Sequence, residues 1–400
     1  MTTTAAAVFS DRIGRIEISA TMAVTAEAAK LRAQGAKLVD FGAGEPHFAT
    51  PQHIKDAAIE AIQNNFTKYT MVSGIPELRQ AIVDRHAADF GSSYTPDEAI
   101  FSTGGKLAIF NAIQVLVDHG DEVIVPTPYW VSYKDIVQYA GAQCVFVEAG
   151  DAEEFRVTAD AIERAITPKT KAILLNSPSN PSGAVIAPKD LERIVHLAKE
   201  RGIWLLLDEC YVYLQYTGAL VSGGSFTDAK ENILVLGSLS KTYAMTGWRA
   251  GFALGPKAVI AAMSKLQSQS TSSTASFVQK AAIAALKGDQ ACVGEMRADY
   301  LKLRDESLAG LAKIPGVTCV KPEGAFYVYP NVKAYLGTGS GGKVGTAMEL
   351  SKRLLHEAHV VTVPGEAFGT AEHVRISYPV TRENIDEGTR RMGEFLTGLK

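Results

Sequence analysis

The chain has 400 residues, of which 46% are apolar and 21% charged. These values exclude a disordered, collagen-like or coiled-coil protein and leave room for two to three domains around a large core. Forty Lys and Arg stand against 43 Asp and Glu, a formal net charge of −3, so there is no global basic field to hold nucleic acid or an anionic membrane, and the expected ligand is small.

The start, Met1–Ala20, mixes Arg12 and Arg15 with Asp11 and Glu17 and lacks the apolar core of a secretory signal. No apolar run approaches the roughly 20 residues of a membrane span. The four cysteines, Cys144, Cys210, Cys292 and Cys319, are widely spaced without a C-x-x-C pair, which argues against a disulfide scaffold or a structural zinc centre. A cytoplasmic protein of a reducing compartment is expected, and Asn65-Phe66-Thr67 is then a chance match to a glycosylation site.

Residues 1–50 carry no core of their own and are expected to pack with the C-terminal part. Thr50-Pro51 reads as a helix start, with a capping side chain and then proline at the first helical position. A helix of about 15 residues is predicted there, with Ile54, Ala57, Ala58, Ala61 and Ile62 as its apolar face. Seven short apolar runs follow: 99–102, 122–126, 143–148, 172–177, 204–209, 233–238 and 249–254. Their near-continuous hydrophobicity predicts strands covered on both faces, and the helical stretches between them, such as 105–117 and 188–199, fit crossovers of a mostly parallel sheet. The predicted class is α/β, with a seven-stranded, mostly parallel sheet in a large domain over 51–290.

Beyond Ala284 a charged helix (Glu295–Leu311) is followed by apolar pieces at 317–320, 325–329, 360–363 and 374–377, predicting a smaller α+β domain over 291–400. Gly337–Lys343 matches G-x-G-x-x-G literally. It is read as a flexible surface loop, because Val344 stands where a P-loop needs a hydroxyl and no βαβ unit surrounds it. His356 and His359 are three apart, with no third ligand in view, so no metal site is expected.

The chemistry concentrates in Ser238-Leu239-Ser240-Lys241-Thr242-Tyr243-Ala244-Met245-Thr246-Gly247-Trp248-Arg249-Ala250-Gly251. It starts at the carboxyl end of a predicted strand, the rim where ligands bind in open α/β sheets. A lysine between two serines with an arginine eight residues on therefore points to an amine held beside an anion site. Thr103-Gly104-Gly105-Lys106 turns from a strand into a helix, where free N–H groups and the helix dipole favour phosphate.

The lysine segment resembles the signature of class I aminotransferases, pyridoxal 5′-phosphate enzymes of fold type I. The resemblance extends, in the family's order, through Ala43-Gly44-Glu45-Pro46, Lys68-Tyr69-Thr70, Thr103–Lys106, Pro128-Tyr129-Trp130, Asn176–Gly183, Asp208-Glu209-Cys210-Tyr211 and Val374-Arg375-Ile376-Ser377-Tyr378. It covers residues 12 to about 395 and is strongest toward the bacterial aspartate aminotransferase subgroup.

The resemblance implies that Lys241 holds the cofactor as an internal aldimine and then carries the proton. That role needs an amine pKa lowered by burial and neighbouring positive charge, with Arg249 as the candidate neighbour. Asp208 would pair with the ring nitrogen, Trp130 would stack on the ring, and Asn180 and Tyr211 would bond its phenolic oxygen. Gly104, Gly105, Lys106, Ser238, Ser240 and Arg249 would surround the phosphate, with Tyr69 reaching that of the other subunit in a homodimer with shared active sites.

Arg375 and Gly44 would take the substrate α-carboxylate, with Trp130 and Asn180 beside it, and Lys106, Ser19 and Thr21 would meet a distal carboxylate. The implied substrates are L-aspartate or a related amino acid and a 2-oxo acid such as 2-oxoglutarate. Glu17 and His47 depart from the subgroup's usual residues, and Glu17 would weaken a dianionic substrate if it faced the pocket.

Alternatives are a donor range that includes aromatic amino acids, prephenate or alanine, a fold-type I lyase, and a non-catalytic regulator on the same fold. Such regulators generally carry an N-terminal DNA-binding module, for which the residues ahead of the first motifs leave little room.

Overall fold

The computed structural model describes residues 9–18, 20–337 and 344–399, with side chains undescribed at 20–22. Its centre is a seven-stranded sheet of β1 (Ala99–Thr103), β2 (Glu122–Thr127), β3 (Gln143–Glu148), β4 (Thr170–Asn176), β5 (Trp204–Asp208), β6 (Ile233–Ser238) and β7 (Ala250–Leu254). The spatial order is β1-β7-β6-β5-β4-β2-β3, and β7 alone runs antiparallel to its neighbours. The apolar runs are continuous because alternate residues feed different cores. Leu205, Leu207, Ile233 and Val235 pack on one face, and Leu206, Leu234 and Leu236 on the other. Helices such as Pro188–Arg201 and Gly105–Leu116 cover those faces.

This topology brings the chemistry to one rim. The carboxyl ends of β4, β5 and β6 are Asn176, Asp208 and Ser238. Because β7 is reversed, its first residues pair with Thr103 and Ser238 at that same rim. The chain thus leaves β6 at Ser238, passes Lys241 on the short helix Leu239–Thr242 and returns beside its starting point at Arg249. Arg249 was expected inside the strand but lies just before it, at φ +54°, a left-handed conformation that ends the regular ladder.

The remaining strands are short. Val39–Asp40 pairs in parallel with Val360–Val361, so a strand from the first fifty residues joins one near the C-terminus. Val363–Pro364, Val374–Ser377 and Tyr327–Val328 form a three-stranded antiparallel sheet. Helices Ala291–Leu311 and Arg382–Gly398 belong to the same core, which includes Val39, Phe41, Leu303 and Met392. Earlier in the chain, Glu17 bonds to residues of helix Ser132–Tyr139.

Several expected elements differ. The helix after Thr50 spans Gln52–Gln63, 12 residues, with Pro51 as its N-cap. Thr50 does not cap it: its hydroxyl donates to Ala244 O at 2.6 Å and accepts from Trp248 Nε1 at 3.0 Å, so a tertiary contact takes the capping group. The run 317–320 forms only a single bridge, Thr318 to Asn331. The run 360–363 divides between two sheets, with Thr362 between them bonding Ser351. Residues 338–343 of the glycine-rich loop lie outside the described residues.

Candidate active site

A cleft of about 360 Å³, within the usual range for small-molecule sites, opens between the rim of the large sheet and the strand that carries Arg375. Gly44, Gly105, Lys106, Trp130, Asn180, Asp208, Tyr211, Ser238, Ser240, Lys241, Arg249 and Arg375 all line it.

Asp208 ends β5 and is buried. Tyr133 OH donates to its Oδ2 at 2.6 Å and the Cys210 N–H to its Oδ1 at 3.1 Å. These bonds favour the carboxylate, but burial outweighs them and pushes the carboxyl up to about 6, and no basic side chain among the described residues offsets it. Asn176 supports the same corner, donating to Asp208 O at 2.9 Å while its Oδ1 accepts the Asn180 N–H at 2.8 Å.

Lys241 Nζ donates to the Gly44 carbonyl and lies 5.7 Å from the Phe326 ring. Its ammonium is held below the ordinary lysine range, first by burial. Arg375 and Arg249 add to this, and Cys210 and Glu45 oppose it. Both expected causes are present, burial as the larger and Arg249 as a lesser one, with Arg375 beside it.

The glycine turn forms a close cradle. Gly104 has φ +87°, and a Cβ there would stand 2.5 Å from Arg249 Nη2. Gly105 opens helix Gly105–Leu116. Ser238 Oγ accepts the Ser240 N–H at 3.2 Å, and Arg249 Nη1 donates to Thr246 O at 3.1 Å. Gly251 packs behind the turn, where a Cβ would sit 2.3 Å from Gly105 N and 2.4 Å from the Gly104 carbonyl carbon. Both partners are backbone and cannot swing away. Gly251→Ala is therefore expected to destabilise the fold by about 1–3 kcal/mol and to weaken protection by added phosphate, as read from unfolding midpoints with and without the anion.

Across the cleft, Arg375 Nη1 donates to Asn180 Oδ1 at 3.1 Å and Nη2 to Gly42 O at 2.8 Å. The guanidinium lies 4.6 Å from the Tyr327 ring and 5.1 Å from Phe368, and its buried Nε has no hydrogen-bond partner among the described residues. A guanidinium carries five N–H donors, so an unengaged set remains for a carboxylate. Lys106 Nζ stands 4.9 Å from the Trp130 ring, its ammonium lowered by burial and then by Arg249. Tyr211 OH meets Tyr327 OH at 2.7 Å.

Other predicted positions fall elsewhere. Tyr69 is 97% exposed and does not line this chain's cleft. Ser19 and the side chain of Thr21 lie outside the described residues. Glu17 turns to Lys134 at 3.1 Å and does not line the cleft. His47 pairs with Asp299 at 3.3 Å and packs on Phe48. Among the described residues no group of His, Cys, Asp and Glu could hold a metal ion. Sequence reasoning missed Tyr133 and Tyr327, whose partners are 75 and 116 residues distant, so no local pattern marks them.

The model of the family "Aminotransferase class I and II" matches residues 36–392. The chain belongs to this family. It is 41% identical over 387 residues to the aspartate aminotransferase of Geobacillus stearothermophilus, covering 96% of this chain and 98% of that one. It is also 41% identical to the aspartate/prephenate aminotransferase of Nitrosomonas europaea, covering 97% and 99%. Among solved structures, the aspartate aminotransferase of Thermus thermophilus with maleate superposes with a TM-score of 0.92 at 42% identity, covering 97% of this chain and 100% of that one. That of Rhizobium meliloti gives 0.93 at 40% identity, covering 98% and 100%. This aminotransferase therefore has the fold-type I architecture implied by its motifs.

Proposed function

We propose that the enzyme is a pyridoxal-phosphate-dependent transaminase that moves the amino group of L-aspartate to 2-oxoglutarate. The observation that carries this reading is the meeting, in one cleft, of the Lys241 amine, a buried Asp208 without a basic partner, and an Arg375 guanidinium with unengaged N–H groups.

The residues present fit the cofactor. A buried carboxylate lacking a cation suits a protonated ring nitrogen. A cradle that a Cβ at Gly104 would fill, with Gly105, Ser238, Ser240 and Arg249 around it, suits a phosphate. Trp130 would face the ring, and Asn180 and Tyr211 its oxygen. Pyridoxal phosphate, when bound, supplies the electron sink that makes an amino acid's α-proton removable and its amine exchangeable.

Asp208 Oδ would hold the proton on the ring nitrogen. Lys241 Nζ, desolvated and so less basic than a surface lysine, would take the substrate's α-proton and return it. Arg375, pinned by Asn180 and Gly42, would orient the α-carboxylate, and Lys106 with Ser19 and Thr21 the distal one.

The names of the relatives support aspartate as donor, and Glu17, which does not line the cleft, gives no reason against a dianionic substrate. A panel of amino donors with 2-oxoglutarate tests the choice. Lys106→Ala should raise the KM for aspartate about 10- to 100-fold, the range of a charged hydrogen bond, with little change for an uncharged donor. Equal effects would remove Lys106 from substrate recognition. A wider range that includes prephenate is the second reading, favoured by relatives named aspartate/prephenate aminotransferases.

The proposal includes a cytoplasmic homodimer, in which the exposed Tyr69 and Met71 would lie against the partner and Tyr69 would reach its phosphate. It also includes division into an N-terminal segment (1–50), a large domain (51–290) and a small domain (291–400). No helix among the described residues is long and apolar enough to cross a membrane.

A further inference from the structure

We propose that Tyr327 is a positioning residue that couples the two ends of the cleft, its hydroxyl orienting Tyr211 and its ring supporting Arg375. The assignment rests on the cofactor and substrate reading above and deepens it.

Tyr327 is 1% exposed and begins the two-residue strand Tyr327–Val328, which pairs with the Arg375 strand through Ser377. A single side chain therefore touches both functional ends. Its ring lies 4.6 Å from the Arg375 guanidinium, close enough for a cation–π contact in a desolvated site. Its hydroxyl lies 2.7 Å from Tyr211 OH, the one hydrogen bond that the described residues give either group. Gly44 keeps that corner open, since a Cβ there would stand 2.8 Å from Tyr327 OH.

The direction of the shared bond decides what Tyr211 can do. A phenol has one O–H to donate. If Tyr211 gave its proton to Tyr327 it would have none for a ligand oxygen. If Tyr327 donates, Tyr211 keeps its O–H for the cleft and becomes the better donor through the relay. The second arrangement is favoured electrostatically. Burial raises both phenols, but the Arg375 guanidinium stands 4.6 Å from the Tyr327 ring, and that neighbouring positive charge is the main restraint on Tyr327, which makes its hydroxyl the readier donor.

The test uses the full-length enzyme loaded with pyridoxal phosphate, comparing wild type, Tyr327→Phe and Tyr327→Leu. The first readout is the pH midpoint of the bound cofactor's visible absorption. Weaker donation by Tyr211 leaves the cofactor oxygen more negative and its neighbouring nitrogen more basic, so Tyr327→Phe should move the midpoint up by about 0.3–0.5 unit. The KM for aspartate should stay within about twofold, because the ring under Arg375 remains. Tyr327→Leu loses both contacts and should show the same spectral shift with about a tenfold higher KM.

An unshifted midpoint in Tyr327→Phe overturns the relay, and equal KM values for the two variants overturn the support of Arg375. Tyr327→Phe differs only by the hydroxyl and decides the relay on its own, and if Tyr327→Leu does not fold, Tyr327→Met, which also removes the aromatic face, takes its place in the KM comparison. A wild-type protein that takes up no pyridoxal phosphate would remove the cofactor reading and this assignment with it. A loaded wild type beside an unshifted Tyr327→Phe removes the assignment alone.

Discussion

Lys241→Ala is expected to lower transamination by about 10⁴-fold or more, at or beyond the upper end of what a positioned proton carrier contributes, because the same side chain is also the proposed point of covalent attachment. Nothing else in the cleft can substitute. The other lysine there, Lys106, stands over the Trp130 ring, and its charge is coupled to Arg249. Lys241 by contrast is the third residue of the short helix after β6, with Nζ on the Gly44 carbonyl. Purified Lys241→Ala should also lack the visible absorption that wild type acquires with pyridoxal phosphate. Retention of both colour and turnover would refute the assignment.

Asp208→Asn should separate stability from activity. The folded carboxyl sits near 6, above its ordinary value of 3.8, so the folded chain holds this proton more tightly than the unfolded one. Below about pH 3 both states are protonated and the group contributes nothing. As pH rises from about 4 to 6 the unfolded state ionises first and stability falls, by about 3 kcal/mol once both are ionised.

The amide removes that penalty with modest loss of contact: its oxygen can still accept the Cys210 N–H, and its NH2 can donate to Tyr133, whose hydroxyl rotates to accept. Cofactor-free Asp208→Asn should therefore be more stable than wild type above pH 7 by up to about 3 kcal/mol, with a flatter pH profile. Its turnover should fall by about 10²-fold or more, because a neutral partner cannot hold the ring proton. Chemical unfolding of both cofactor-free proteins from pH 4 to 8 checks this. An unchanged slope would mean that Asp208 is not the buried, unpaired carboxylate described above.

The large sheet was legible because its strands are covered on both faces and so appear as uninterrupted apolar runs. The four residues of Ala99–Ser102 and the six of Ile233–Ser238 were read within a residue of their ends. The short strands were less so. Two-residue pairings such as Val39–Asp40 with Val360–Val361 depend on a partner more than 300 residues away, and no local period announces them. Thr50 looked like a cap until Ala244 and Trp248 claimed its hydroxyl.

Residue types and spacing by themselves marked an amine between serines and a glycine turn opening a helix, and the resemblance to the family's motifs added an aspartate closing an apolar strand and an arginine in Val-Arg-Ile-Ser-Tyr. Only the tertiary structure decided how those groups are tuned. The reversal of β7 places Arg249 beside Gly104, burial ahead of charge lowers Lys241, Tyr133 clasps Asp208, and Tyr327 joins Tyr211 to Arg375. The reason is physical: desolvation and hydrogen bonding act between atoms a few ångströms apart, and the chain brings such atoms together from distant positions, as with Tyr133 and Asp208 or Tyr211 and Tyr327, only once its core has closed.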